Sequence, residues 1–142
     1  MNMSAISIRQ PWAWTILLAG KDVENRSWMT RYRGPVLIHA GKHFRPKDVR
    51  DDVRECARIA KAAGHVLPGT LTMGDLKSQT GGIVGMITVV GCIRDYRSPW
   101  AIPGEWHWQL AGARPLPFHP CKGRLGIFKV EYPFSLAGRG EE

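Results

Sequence analysis

Residues 83–93 run Ile-Val-Gly-Met-Ile-Thr-Val-Val-Gly-Cys-Ile, with Thr88 the only ordinary polar side chain. A run that is apolar on both alternating faces and rich in β-branched residues predicts a long central strand, covered on both sides. Gly85 and Gly91 predict a bend or bulge along it. A chain holding such a strand must supply partner strands and covering elements.

Alternation predicts those partners at Ser4–Ile8, Asp22–Trp28, Pro35–Ala40, Trp106–Leu110 and Gly126–Tyr132. Two helices are expected. Trp12–Ala19 is apolar almost all round, with Pro11 suited to its first position and Gly20 to its end. Trp12 and Trp14 point about 200° apart on such a helix, so they serve different surfaces, and Trp12 is placed to line a site. Pro46–Ala63 carries a stripe of Val49, Val53, Cys56, Ala60 and Ala63, opposite Lys47, Arg50, Asp51, Arg54, Arg58 and Lys61, which fit a solvated face. Residues 65–82, punctuated by Pro68-Gly69, Gly74 and Gly81-Gly82, read as a long loop in which Lys77 could meet a ligand. Residues 113–126, rich in proline and basic side chains, read as a connector. Six strands and about two main helices, without repeated strand–helix–strand units, predict an α+β fold with a mixed sheet or small barrel. The expected unit is one domain over residues 1–142, with its core at about 4–132 and a frayed tail at Ala137–Glu142.

The stretch Gly20-Lys21-Asp22-Val23-Glu24-Asn25-Arg26-Ser27-Trp28 is the candidate site. If it is extended, Asp22, Glu24, Arg26 and Trp28 share one face. Such a face is a poor core and a plausible ligand floor: Glu24 accepts hydrogen bonds, Arg26 donates a fork of them, and Trp28 offers a stacking plane. The competing expectation is a surface strand whose Glu24 and Arg26 merely pair with each other.

Twenty Lys and Arg against twelve Asp and Glu give a net charge of +8, a balance that suits a polyanion such as nucleic acid. Three cysteines without metal or redox spacing, no leader pattern and no bilayer-length apolar run fit a protein of the cytoplasm.

The residues also carry a family resemblance. Ser7-Ile8-Arg9-Gln10-Pro11-Trp12-Ala13 precedes Gly20-Lys21-Asp22-Val23-Glu24-Asn25-Arg26. Tyr32-Arg33-Gly34-Pro35-Val36-Leu37-Ile38-His39-Ala40 and Cys121-Lys122-Gly123-Arg124-Leu125-Gly126-Ile127-Phe128 follow. Together they resemble the ASCH domain of the PUA-like superfamily over roughly Ser4–Val130. The family motif is Gly-x-Lys-x-x-Glu-x-Arg; here the glycine stands one place nearer the lysine. The resemblance implies a small mixed β-barrel flanked by helices, with a cleft lined by Lys21, Glu24 and Arg26. It implies binding of RNA or, in some relatives, DNA, and in others ribonuclease or N4-acetylcytidine amidohydrolase activity. In the amidohydrolase pattern the residue three places after the lysine is a nucleophilic threonine; here it is Glu24.

Two functions follow. One is an RNA-binding module whose cleft takes a base, with Trp12, Lys21, Glu24, Arg26, Trp28, Arg33, His39, Lys42, Lys122 and Arg124 as contacts. The other is a hydrolase of RNA or of an acylated nucleoside, with Lys21 and Glu24 as the chemical pair. Neither needs a cofactor. His39 and His43 are four apart, but a strand and Gly41 separate them, so no metal site is expected. His107 fits either a cleft wall or a satisfied strand histidine. No serine has a nucleophile-elbow context and no phosphate loop is present.

Overall fold

A computed structural model of the chain describes residues 1–65, 67 and 72–136. Among them it holds β1 (Asn2–Ile8), α1 (Trp12–Leu18), β2 (Val23–Arg26), β3 (Gly34–Ala40), α2 (Pro46–Ala62), α3 (Met73–Ser78), β4 (Gly82–Ile93), β5 (Trp106–Pro120) and β6 (Ile127–Glu131). The residues read as a frayed tail, and Pro68-Gly69 within the expected loop, lie outside the described ones.

The six strands form one curled sheet in the order β2-β5-β4-β3-β1-β6. The β1–β3 pair is parallel and the other pairs are antiparallel, so the sheet is mixed, as expected of this α+β chain. The apolar run is β4, flanked on both sides by β3 and β5. Its register with β5 slips between Ile83 and Gly85 and again between Val89 and Gly91. At Gly85 a Cβ would stand 2.4 Å from Leu17 Cδ2 and 2.7 Å from the Arg114 carbonyl oxygen. The glycine therefore lets α1 and β5 close onto the strand from two directions.

One face of the sheet packs Ile6, Ile8, Ile38, Val89 and Trp108 against Ala13 and Ile16 of α1. The other gathers Ala5, Leu37, Ile83, Phe128 and Tyr132. α2 buries Val49, Cys56 and Ala60 of the expected stripe. Burial pushes the Cys56 thiol up to about 11, which keeps it protonated and inert at neutral pH.

Three expectations are corrected. β5 continues through Ala111–Pro120, where a connector was expected. Its β2 pairing covers only Trp106–Gln109, so among the described residues one edge beyond Leu110 has no neighbouring strand, and prolines without an N–H are tolerated there. α3 forms inside the expected loop because the Thr72 side chain caps it, accepting from the Asp75 backbone N–H at 3.0 Å. The predicted strand at 22–28 shortens to Val23–Arg26.

Candidate functional site

Arg26 reaches from β2, one edge of the sheet, to β1, and its side chain makes the seam between them. Its Nη2 donates to the Ser7 backbone carbonyl at 2.8 Å. Its Nε donates to Glu24 Oε2 at 2.9 Å. Lys21 Nζ donates to Glu24 Oε1 at 3.4 Å and to the Val23 carbonyl at 2.7 Å. Glu24 is thus a carboxylate shared between two cations. Lys21 is only 5% exposed, Glu24 is buried and Arg26 is partly buried.

Gly20, at φ +83°, turns the chain out of α1 and delivers Lys21 to this position. The ammonium also sits 5.6 Å from the centre of the Trp12 ring, at the start of α1. Underneath, Trp108 is the register partner of Glu24. Its ring stands 5.9 Å from the Arg26 guanidinium, a platform that fixes the fork.

These side chains line an open cleft of about 1580 Å³, which also takes in Ser7, Asp52, Trp100 and the 120–126 segment. Of the expected contacts, Trp12, Lys21, Glu24, Arg26, Lys42, Lys122 and Arg124 all border it. The remaining three do not. Trp28 is 39% exposed and stacks edge-on against Trp108 at 4.8 Å. Arg33 folds back onto the Thr30 and Tyr32 carbonyls. His39 is buried behind the wall, between the Ser7 hydroxyl and the Cys121 carbonyl.

The four-residue face is corrected as well. Glu24 and Arg26 share the cleft, whereas Asp22 accepts from Ser98 Oγ at 2.6 Å and from the Tyr96 hydroxyl at 3.3 Å. Asp22 therefore anchors the 94–105 segment, helped by Asn25, which holds the Trp100 carbonyl and the Ile102 N–H. His107 is a satisfied strand histidine. Its Nδ1 accepts from the Tyr96 N–H at 3.1 Å, so Nε2 carries the proton and donates to the Ile102 carbonyl at 2.7 Å. Both His39 nitrogens are engaged, one by the Ser7 hydroxyl and the other by the Cys121 carbonyl. Lys77 is exposed on α3, away from the cleft.

Two acidic cleft residues on α2 escaped the sequence reading. Asp52 and Glu55 project from α2 into the lining, and Asp52 is held by Arg9 at 2.9 Å. Their spacing of three on one helix was a usable signal, hidden by the more numerous basic residues around them. Trp100 stacks on His65. Its buried indole N–H lacks a partner among the described residues.

Among the described residues no helix is long and apolar enough to cross a membrane. A comparison with curated proteins returned no match. The ASCH domain family matches residues 6–120, which contain every residue of the Lys21–Glu24–Arg26 cluster and the strands that hold it. On that match, which spans most of its length, the chain belongs to the ASCH domain family.

Proposed function

We propose that this chain binds single-stranded or loop RNA, docking the backbone on Lys42, Lys122 and Arg124 and taking one base into the cleft beside Trp12. The observation that carries this reading is the partly satisfied Lys21–Glu24–Arg26 cluster. Lys21 has three donors and spends two; Glu24 has about four lone-pair positions and spends two. A spare N–H beside spare carboxylate lone pairs matches the adjacent acceptor and amino group of a base edge. The cluster holds two formal positive charges against one negative, which suits a ligand bearing phosphate. The ASCH domain is a PUA-like family associated with RNA binding, and membership in it supports the same reading.

A second reading is hydrolysis by Lys21 and Glu24, favoured by the burial of Lys21 beside the carboxylate. Against it, both Glu24 oxygens are already hydrogen-bonded to cations, Oε1 to Lys21 and Oε2 to Arg26. Product from N4-acetylcytidine that vanishes in folded Lys21→Ala and Glu24→Ala would favour it.

The binding reading is tested by fluorescence anisotropy with a short labelled single-stranded RNA across a salt series. Affinity is expected to fall linearly on a log–log plot, and Lys122→Ala and Arg124→Ala are each expected to flatten the slope by about 0.7. Trp12→Ala is expected to weaken binding by about 1–3 kcal/mol through lost stacking. No binding, or binding indifferent to salt and to all three variants, would rule the reading out.

A further inference from the structure

We propose that Ser7 and His39 form a reactive pair in the cleft wall, a nucleophile and its base, competent for acyl transfer from an ester or N-acyl compound. Nothing in the Lys21–Glu24–Arg26 cluster is needed for this pair to exist.

Ser7 and His39 are register partners on the parallel strands β1 and β3. Ser7 Oγ lies 3.0 Å from His39 Nδ1. His39 Nε2 lies 2.8 Å from the Cys121 carbonyl oxygen. A carbonyl can only accept, so Nε2 carries a proton and Nδ1 of the neutral ring is bare. The Ser7 hydroxyl must then point its hydrogen at Nδ1. That polarity readies a serine for attack, since the base already accepts a hydrogen bond from the proton it will take. The Cys121 carbonyl fixes the tautomer and the ring orientation. The base is therefore within hydrogen-bond reach of both the nucleophile and the orienting group.

The pair also differs in access. His39 is 2% exposed, while Ser7 is partly exposed and borders the cleft. Glycines flank the hydroxyl. A Cβ on Gly41 would stand 3.5 Å from Oγ, and one on Gly123 would stand 3.2 Å from Oγ and 2.6 Å from His39 Cε1. Any longer side chain at either position would crowd the hydroxyl. Arg26 donates to the backbone carbonyl of the same serine and borders the same cleft, so a cation stands on the strand's flank beside the nucleophile.

The chemistry balances with water alone. Ser7 Oγ bonds to the acyl carbon, its proton passes to Nδ1, and the carbonyl oxygen becomes an oxyanion. Collapse breaks the bond to the alcohol or amine, which leaves with the proton from Nδ1. Water then attacks the acyl-serine and gives a proton to Nδ1. Release of the carboxylic acid returns that proton to Ser7 Oγ. The basic, tryptophan-walled cleft suits acyl compounds with a planar or anionic leaving group.

The test is covalent labelling of the whole chain with a fluorophosphonate probe and with p-nitrophenyl acetate, followed by intact mass and peptide mapping. One adduct on Ser7 is expected with each. It should be absent in Ser7→Ala and form at least about 100-fold more slowly in His39→Gln, the loss expected when a general base is removed. Should His39→Gln not fold, Gly41→Val serves, since its side chain would cover the hydroxyl and slow labelling. A wild-type chain left unlabelled at millimolar probe would overturn the proposal. So would adducts that persist in Ser7→Ala, or a folded base or cover variant that labels at the wild-type rate. RNA binding is read in a separate experiment, so its failure leaves this result standing, and the reverse.

Discussion

Replacing Glu24 with alanine is expected to destabilise the folded chain by about 3–5 kcal/mol, the cost of removing one partner from a buried ion pair. The side chain of Lys21 is 4% exposed and that of Glu24 is 11% exposed. Without the carboxylate, the ammonium keeps only the Val23 carbonyl and the face of Trp12. Arg26 loses the bond that aligns its fork across the β1–β2 seam. Glu24→Gln keeps the shape and one acceptor oxygen, so a smaller loss is expected. Pairs such as Lys47–Asp51 on the outer face of α2 behave differently, because both partners are exposed and water already solvates them. Urea unfolding followed by tryptophan fluorescence measures the difference through a lower midpoint at unchanged slope. A Glu24→Ala loss below about 1 kcal/mol, the value for exposed pairs, would mean that the three charges are solvated.

The second large effect is expected at Trp108. It is 1% exposed, and Trp108→Ala should cost about 3–5 kcal/mol from lost transfer energy and the cavity left behind. The consequence reaches the site, because this ring does three jobs. It packs with Ile6, Ile38 and Val89 in the core, it meets Trp28 edge to face, and it lies under the Arg26 guanidinium. Its indole N–H also donates to the Trp28 carbonyl at 3.3 Å, tying down the chain just after β2. Trp108→Phe keeps most of the area and loses that bond, so it should recover most of the stability. Thermal unfolding compared across the three proteins checks this. An alanine variant as stable as the phenylalanine variant would remove Trp108 as the platform of the cleft.

The parts legible in the sequence are those with a strong local period. β4 and the stripe of α2 announce themselves by apolar pattern, and Lys21, Glu24 and Arg26 by charge spacing and by the family motif. The parts that were not legible depend on what the sheet does at a distance. The prolines at 115, 117 and 120 argued against a strand, and only the missing neighbour on one edge of β5 makes them compatible with one. α3 was masked by the glycines within and around it, although Thr72-Met73-Gly74-Asp75 carries a capping pattern that could have marked its start. Asp22 and Trp28 shared the expected face, but β2 runs only from Val23 to Arg26, so one precedes the alternation and the other follows it. The Ser7–His39 contact joins residues 32 positions apart and exists only because β1 and β3 pair in parallel register. No local motif encodes that.

The cleft, rather than the more strongly patterned basic face of α2, is held to be where RNA meets this chain. Photo-crosslinking with RNA carrying a single 4-thiouridine, mapped by mass spectrometry, tests that most directly. Crosslinks are expected on Trp12 or Lys21 and on the 121–126 segment, and they should be lost at high salt. Crosslinks confined to Arg50, Arg54 and Arg58 on the outer face of α2 would contradict it.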